Sequence, residues 1–303
     1  MKIIEGSHNI KSLVKKPVLT IGNFDGVHLG HQMIFKKMAG AAKKIGGQSV
    51  VYTFEPHPSR AVAPDVCPRL IQTTDQKMKS IAEHKINICI IEPFTMTFSH
   101  LSPKKFFDKI ILKKIAPSYI IVGYDLTFGR KRMGTLEVLE SLCKSNRINL
   151  SVVGAKFLGG VLISSTQIRN YISTGLIDKA NKMLGHPFAL SGKVVHGRGL
   201  GETLGFHTAN IEPDNELIPL KGVYITKTLG HTSVTNIGFN PTFGGKDLTV
   251  ETHILNFSKK LYGKSIEIMF YKRLRDEIMF ESPLLLAKQI EADIYEAKKY
   301  FKI

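Results

Sequence analysis

Two histidines three residues apart inside a glycine-rich loop carry the clearest chemical signal in this chain: Gly22-Asn23-Phe24-Asp25-Gly26-Val27-His28-Leu29-Gly30-His31. Set at the opening of a helix, His28 and His31 reach the same side. The positive helix end favours anions there, and the two imidazoles can hydrogen-bond phosphate oxygens whose charge shifts as a nucleotide bond breaks. Gly22, Gly26 and Gly30 let backbone approach a ligand where a Cβ would clash, and Phe24 and Asp25 join them as candidate nucleotide contacts. The plainer reading of a bare HxGH is one core and one capping histidine. The loop glycines and the apolar run before them weigh towards a site.

Other loops hold matching residue types. Glu55-Pro56-His57-Pro58 follows a second apolar run, and its prolines stiffen a loop that sets His57 and Arg60 beside the first. A locally hydrogen-bonded loop histidine is the alternative for His57. Gly123-Tyr124-Asp125-Leu126-Thr127-Phe128-Gly129-Arg130-Lys131-Arg132-Met133-Gly134 suits a triphosphate through Arg130 and its neighbouring cations. There Asp125 has a ribose, a base edge or magnesium-bound water as alternative partners, and a solvated surface turn competes. Ile163-Ser164-Ser165-Thr166-Gln167-Ile168-Arg169 puts hydroxyls at a helix start, where Ser165 and Thr166 can cap the helix and hold phosphate alike, with Arg169 adding a forked charge.

Further along, Gly192-Lys193-Val194-Val195-His196-Gly197-Arg198-Gly199-Leu200-Gly201 can bend over phosphates through freed backbone N–H groups. Gly192, Lys193, His196 and Gly197 are its candidate contacts. Thr208 and Asn210 alternate on a strand and share a face, where two neutral oxygens suit magnesium. Glu251, inside an otherwise strand-like run, is the candidate base for a hydroxyl about to attack phosphorus. Turn and ladder chemistry for Thr208 and Asn210, and an outward-facing carboxylate for Glu251, are the bland alternatives.

The elements that must position these groups alternate over the first half. Strands are expected at 18–21, 49–54, 88–91, 119–122 and 150–153, and helices at 32–44, 74–85 and 103–115. Continuous apolar strands alternating with helices imply a parallel sheet covered on both faces, with its loops at the strand carboxyl ends where such sheets bind phosphate. A short helix at 175–184 ends in Gly185-His186-Pro187. Beyond it, β-type runs at 189–195, 208–211, 222–229, 231–237, 250–255 and 265–270 suit a small barrel. A last helix at 282–300 has Leu285, Leu286, Ile290, Ile294 and Tyr295 on one side to pack on it. The fold class is α/β, followed by a small antiparallel β-barrel with a C-terminal helix, in domains 1–186 and 187–303.

Apolar residues make up 43% and charged residues 22%, the balance of a soluble globular protein. No apolar stretch approaches the roughly 18 residues of a membrane helix, and residues 1–6 show no secretion signal. Cys67, Cys89 and Cys143 lack metal-ligand spacing and imply free thiols in a reducing cytoplasm. The formal charge of +17 raises nucleic-acid binding. Its lysines come as scattered pairs rather than one basic run interleaved with aromatics, so a basic surface that draws anionic nucleotides is the cheaper explanation. No nucleic-acid or membrane partner is expected, and weak self-association is left open.

In this order the loops 22–31, 53–58, 123–134 and 163–169 resemble the nucleotidyltransferase module of the bacterial bifunctional riboflavin kinase/FAD synthetase family. Thr208-Ala209-Asn210, Asn236-Ile237-Gly238-Phe239-Asn240-Pro241-Thr242-Phe243, Val250-Glu251-Thr252-His253-Ile254, Leu261-Tyr262-Gly263-Lys264 and Leu274-Arg275-Asp276-Glu277 resemble its riboflavin kinase module. The resemblance covers nearly the whole chain. It implies a Rossmann-like HxGH nucleotidyltransferase domain, a riboflavin kinase-like barrel and two reactions using Mg2+ with ATP. One phosphorylates riboflavin to FMN; the other joins FMN to AMP, giving FAD and pyrophosphate.

On that reading His28 and His31 stabilise the α/β-phosphate transition state, Ser165, Thr166 and Arg169 hold the outgoing phosphates, and Asp125 contacts ATP. Glu251 is the kinase base, and Thr208 and Asn210 hold magnesium and phosphate. His57, Pro58 and Arg275 lie near flavin. The chain departs from the family pattern at Asp125, where Asn is frequent, at Glu202, which replaces a cation, and at His207, which replaces a proline. The last two predict weaker nucleotide or magnesium binding in the second half. The rival readings are an enzyme that only adenylylates FMN, with a weakened or inactive kinase domain, and, more remotely, a basic RNA-binding protein on a transferase scaffold.

Overall fold

The computed structural model describes residues 1–10, 15–196, 206, 208–242 and 245–303, and of 239–242 and 245–247 the backbone alone. They divide into two units: Met1–Arg69 with Thr74–Ser164, and Leu70–Thr73 with Ser165–Ile303. The expectations that fall on Gly197, Glu202 and His207 lie outside the described residues.

The first unit runs β1 (Lys2–Glu5), β2 (Pro17–Ile21), α1 (Leu29–Ile45), β3 (Gln48–Glu55), α2 (Pro58–Val62), α3 (Thr74–Glu83), β4 (Ile88–Pro93), α4 (Met96–Ser99) and α5 (Pro103–Phe106). A π-wound segment, Phe107–Ile115, continues α5, followed by β5 (Tyr119–Gly123), α6 (Leu136–Ser145), β6 (Asn149–Val153) and a small hairpin of β7 (Phe157–Leu158) and β8 (Val161–Leu162). The six-stranded sheet has the order β1-β4-β3-β2-β5-β6, and every pairing in it is parallel.

All five residues of β2 are buried, as expected of a central parallel strand covered on both faces. On one face Phe35 and Met38 of α1 pack with Val18, Val51 and Ile121. On the other, Phe106, Phe107 and Ile111 pack with Leu19, Tyr52 and Ile90. Because β3 flanks β2 on one side and β5 on the other, the loops after β2 and β5 leave neighbouring strands where the strand order reverses. Open α/β sheets form their ligand crevice at that point.

The second unit begins with α7 (Ser165–Ser173) and α8 (Ile177–Leu184), and β9 (Phe188–Val195) starts where the β-type pattern was expected. Then come β10 (Thr208–Pro213), β11 (Gly222–Thr228), β12 (His231–Thr242), β13 (Gly245–Ile254), β14 (Ser265–Arg275) and α9 (Pro283–Phe301). The six strands close as an antiparallel barrel in the order β10-β13-β12-β11-β14-β9, with β9 pairing back onto β10. Asn181 of α8 staples the chain to it, donating to the Phe270 carbonyl at 2.8 Å and accepting from the Phe188 N–H at 2.7 Å. Ile294, Ala297 and Phe301 of α9 cover Val223, Ile225 and Val234 on the outer face.

The barrel interior mixes apolar side chains with a continuous file of buried hydroxyls. Thr228 and Ser233 meet at 2.9 Å, Ser233 and Thr226 at 2.8 Å, Thr226 and Thr235 at 2.8 Å, and Thr235 donates to Thr252 at 2.9 Å. Each satisfies the next, so β-branched residues with good strand propensity fill the core without orphaned polar groups. Thr252→Val keeps the shape but removes the acceptor of the Thr235 hydroxyl, leaving it Thr226 alone, and should cost about 0.5–1.5 kcal/mol. Thr252→Ser should cost less. Equal denaturant midpoints for the Val variant and the parent would show that the file contributes nothing.

Candidate active sites

The loop after β2 is a tight, strained turn. Phe24 has φ 52°, Gly26 φ 82° and Val27 φ 40°. Positive φ is uncommon for Phe and a genuine outlier for β-branched Val, costing about 1–3 kcal/mol each. Burial holds both in place, with Phe24 at 3% and Val27 at 0% exposure. Gly22 and Gly30 make room for the turn's own rings. A Cβ at Gly22 would stand 2.9 Å from the Phe24 ring, and one at Gly30 3.1 Å from the His28 ring.

This turn delivers His28 as the N-cap of α1, its Nδ1 accepting a long 3.4 Å hydrogen bond from the His31 backbone N–H. The neutral ring therefore carries its proton on Nε2. The His28 and His31 rings stack, with centroids 3.6 Å apart and 18° between planes, and the Phe24 ring meets His31 edge-on at 5.2 Å. His31 Nδ1 is buried with no hydrogen-bond partner among the described residues. Burial first, and the neighbouring His28 second, push the His31 pKa well below its ordinary value. His31 is thus poised as a neutral hydrogen-bonding group beside His28 at a positive helix end.

The neighbouring loops converge on the same edge of the sheet. The His57 ring caps α2, accepting from the Ser59 N–H at 3.2 Å, and its Nε2 lies 3.1 Å from Asn23 of the glycine-rich turn. Thr53 donates to the Asn23 carbonyl at 3.2 Å. Asp25 is buried, whereas Asp125 and Arg130, after β5, are exposed. Gly22, Phe24, Asp25, Gly26, His28, His31, His57, Pro58, Asp125 and Arg130 therefore all belong to loops or helix starts at the strand carboxyl ends. Ser165, Thr166 and Arg169 open α7, which belongs to the second unit, with Ser165 and Arg169 one turn apart on one helix face.

In the barrel, register builds the second group. Asn210 stands directly opposite Glu251 on the β10–β13 ladder, and Asn236 opposite Glu251 on the β12–β13 ladder. Residues opposite one another share a face, so Glu251 sits between two amides, with Thr208 two residues from Asn210 on the same side. All four are half-buried. Val195 opposes Asn210, which brings the end of β9 and His196 near this row. Gly192 and Lys193 instead oppose Pro213 and Glu212. A Cβ at Gly192 would lie 2.2 Å from the Glu212 carbonyl oxygen, so strand packing already demands that glycine. The His196 ring lies 3.8 Å from that of Tyr262, tilted by 32°.

Arg275 pairs with a carboxylate of the same unit. Its Nε and Nη2 fork the Asp293 carboxylate of α9 at 3.0 and 2.7 Å, a clamp between barrel and helix. Sequence reasoning passed over Asn23 and Asn236, which lie inside the glycine-rich turn and the 236–243 segment, and the buried Lys77, because their places depend on which elements become neighbours. Among the described residues no three His, Cys, Asp or Glu side chains cluster to hold a metal ion. The row of Thr208, Asn210 and Glu251 still fits magnesium, since it offers hard oxygens and a carboxylate.

Residues 10–167 match the FAD synthetase family and residues 184–301 the riboflavin kinase family. The chain is 36% identical over its whole length to all of a bifunctional riboflavin kinase/FMN adenylyltransferase from Buchnera aphidicola subsp. Schizaphis graminum. It is 34% identical to the protein so named from Escherichia coli K12, over 99% of this chain and 98% of the relative. A crystal structure of a Streptococcus pneumoniae protein described as a macrolide-efflux protein superposes with a TM-score of 0.89 and 27% identity, covering 98% of this chain and 99% of that one. Among the described residues, no helix here is long and apolar enough to cross a membrane. Two family matches in tandem and relatives matched end to end place the chain in the bifunctional riboflavin kinase/FMN adenylyltransferase family.

Proposed function

We propose that the two halves work on one flavin in turn, each with magnesium-bound ATP, the barrel converting riboflavin to FMN and the parallel-sheet unit converting FMN to FAD. The stacked His28–His31 pair at the mouth of α1 is the observation that carries this reading. Adenylyl transfer needs no covalent enzyme intermediate, so positioning and charge stabilisation suffice. An FMN phosphate oxygen attacks the α-phosphorus of ATP, the bond to the β-phosphate oxygen breaks, and pyrophosphate leaves. His28 Nε2–H and the His31 ring donate to the phosphate oxygens as negative charge builds on them. With its pKa held down in the free site, His31 gains a reason to hold a proton only when the triphosphate arrives, so its stabilisation concentrates where the reaction needs it.

In the barrel, Glu251 takes the proton of the riboflavin 5′-hydroxyl as that oxygen attacks the γ-phosphorus and ADP departs. Asn210 and Asn236 hold the carboxylate from either side. Magnesium, held by Thr208 and Asn210, would neutralise phosphate charge. The functional division falls near residue 186, ahead of β9, with α7 and α8 as the connection. On the adenylyl side, Ser165, Thr166 and Arg169 serve the outgoing pyrophosphate, Asp125 and Arg130 the nucleotide, and His57 and Pro58 the flavin. The three free cysteines suit a reducing cytoplasm.

His28→Ala should slow FAD formation from FMN by roughly two to three orders of magnitude, the usual loss of a transition-state donor, and leave FMN formation intact. Timed chromatography of products from riboflavin and ATP reads both steps; equal loss of both would contradict separate sites. Glu251→Gln should do the reverse, and undiminished phosphorylation would remove Glu251 as the base.

The depressed His31 pKa also sets a stability trend. Below about 6.5 the unfolded chain binds a proton on His31 that the folded chain refuses, so this contribution is complete above that pH and is lost as pH falls. Wild type should therefore lose more stability than His31→Asn between pH 7 and 5, in thermal melts of the two proteins. Parallel losses would contradict a buried neutral His31.

A further inference from the structure

Lys77, in the first turn of α3, is the one buried lysine among the described residues of the first unit, at 7% exposure. Its ammonium points to the end of β3, with Nζ 3.4 Å from the Phe54 carbonyl oxygen and 3.8 Å from Glu55 Oε2. Thr74, one turn earlier on the same helix, donates to the same Glu55 oxygen at 2.8 Å. Two residues of α3 thus grip the last residue of β3. From there the chain passes through Pro56 to His57, whose ring meets Asn23 of the histidine turn. Two residues beyond Asn23, the Asp25 carboxylate is 6% exposed. Burial lowers the Lys77 pKa, and attraction from Glu55 and then Asp25 opposes that fall.

The electrostatic problem is plain. FMN and ATP both bring phosphate anions to an edge of the sheet where Glu55 and Asp25 stand near Lys77, and like charges repel strongly where water is thin. A buried ammonium is itself costly unless paired. Together the three charges sum to one negative charge rather than two. We propose that Lys77 is a positioning residue for adenylyl transfer: its ammonium ties the end of β3 to α3 and offsets the Glu55 and Asp25 carboxylates, so that anionic phosphates are admitted to the neighbouring loops. This rests on reading that edge as the FMN adenylylation site.

The test uses the full chain, with steady-state FAD formation from FMN and ATP as readout and riboflavin phosphorylation by the same polypeptide as internal control. Lys77→Met should raise the KM for FMN roughly tenfold, as expected for like charges left unbalanced, with a smaller change in kcat and unaltered FMN formation. Adding Glu55→Gln to Lys77→Met removes the excess negative charge and should bring KM back to within about threefold of wild type. A mere packing role would not respond to this compensation. Lys77→Gln keeps a donor for the Phe54 carbonyl while dropping the charge, and should raise KM likewise if the Met variant fails to fold. A wild-type KM in both neutral variants, or a double variant no better than Lys77→Met, overturns the proposal. Absence of FAD formation by the wild-type chain would instead overturn the reading of the site itself.

Discussion

The first unit depends on a backbone conformation that its residues resist. Between Phe24 and Val27 the chain enters the left-handed region at two non-glycine positions, and only deep burial of both side chains keeps it there. That turn lets β2, sealed on both faces, hand over to α1 with His28 already at the N-cap and His31 stacked beneath it. Strain of this kind persists where the surrounding packing over-determines it, and it concentrates at functional sites. Here it purchases a fixed pair of stacked imidazoles at the positive end of a helix dipole.

The barrel solves its positioning problem by register. Glu251 gains two amide neighbours because β10 and β12 both pair with β13 at that residue. Inside, the file from Thr228 to Thr252 ties β12 and β13 to each other and to β11 with hydrogen bonds between side chains. One residue separates the interior hydroxyl of Thr252 from the outward carboxylate of Glu251. A slip of one residue would exchange them and place a carboxylate in the core. Core satisfaction and site geometry therefore rest on the same pairing.

Much of this was legible in the sequence where the physics is local. Apolar runs announced β2 to β6, and the glycine–histidine loop announced the helix mouth. β1 escaped because four residues on an exposed edge bury too little to leave a pattern, and β7 and β8 are only two residues each. What depends on partners distant in sequence stayed hidden. A single lysine in a polar helix reads as solvated, yet Lys77 is buried against β3. Arg275 was placed near flavin by resemblance, and its ion pair with Asp293 emerged only from the fold. Glu251 was singled out from its type and setting, but its flanking asparagines emerged only with the strand order. The FAD synthetase and riboflavin kinase matches bear out the paired activities that the motifs implied.

The central claim is that His28 and His31 form one neutral, coupled pair that responds directly to nucleotide phosphate. Nitrogen-15 NMR of the histidine rings in the full chain, recorded near neutral pH before and after addition of ATP with magnesium, reads tautomer and charge together. The account predicts that His28 carries its proton on Nε2 and both rings are uncharged without nucleotide, and that both sets of ring signals move together when it binds. A charged His31 in the free protein, or ring signals indifferent to nucleotide bound in the first unit, would contradict it.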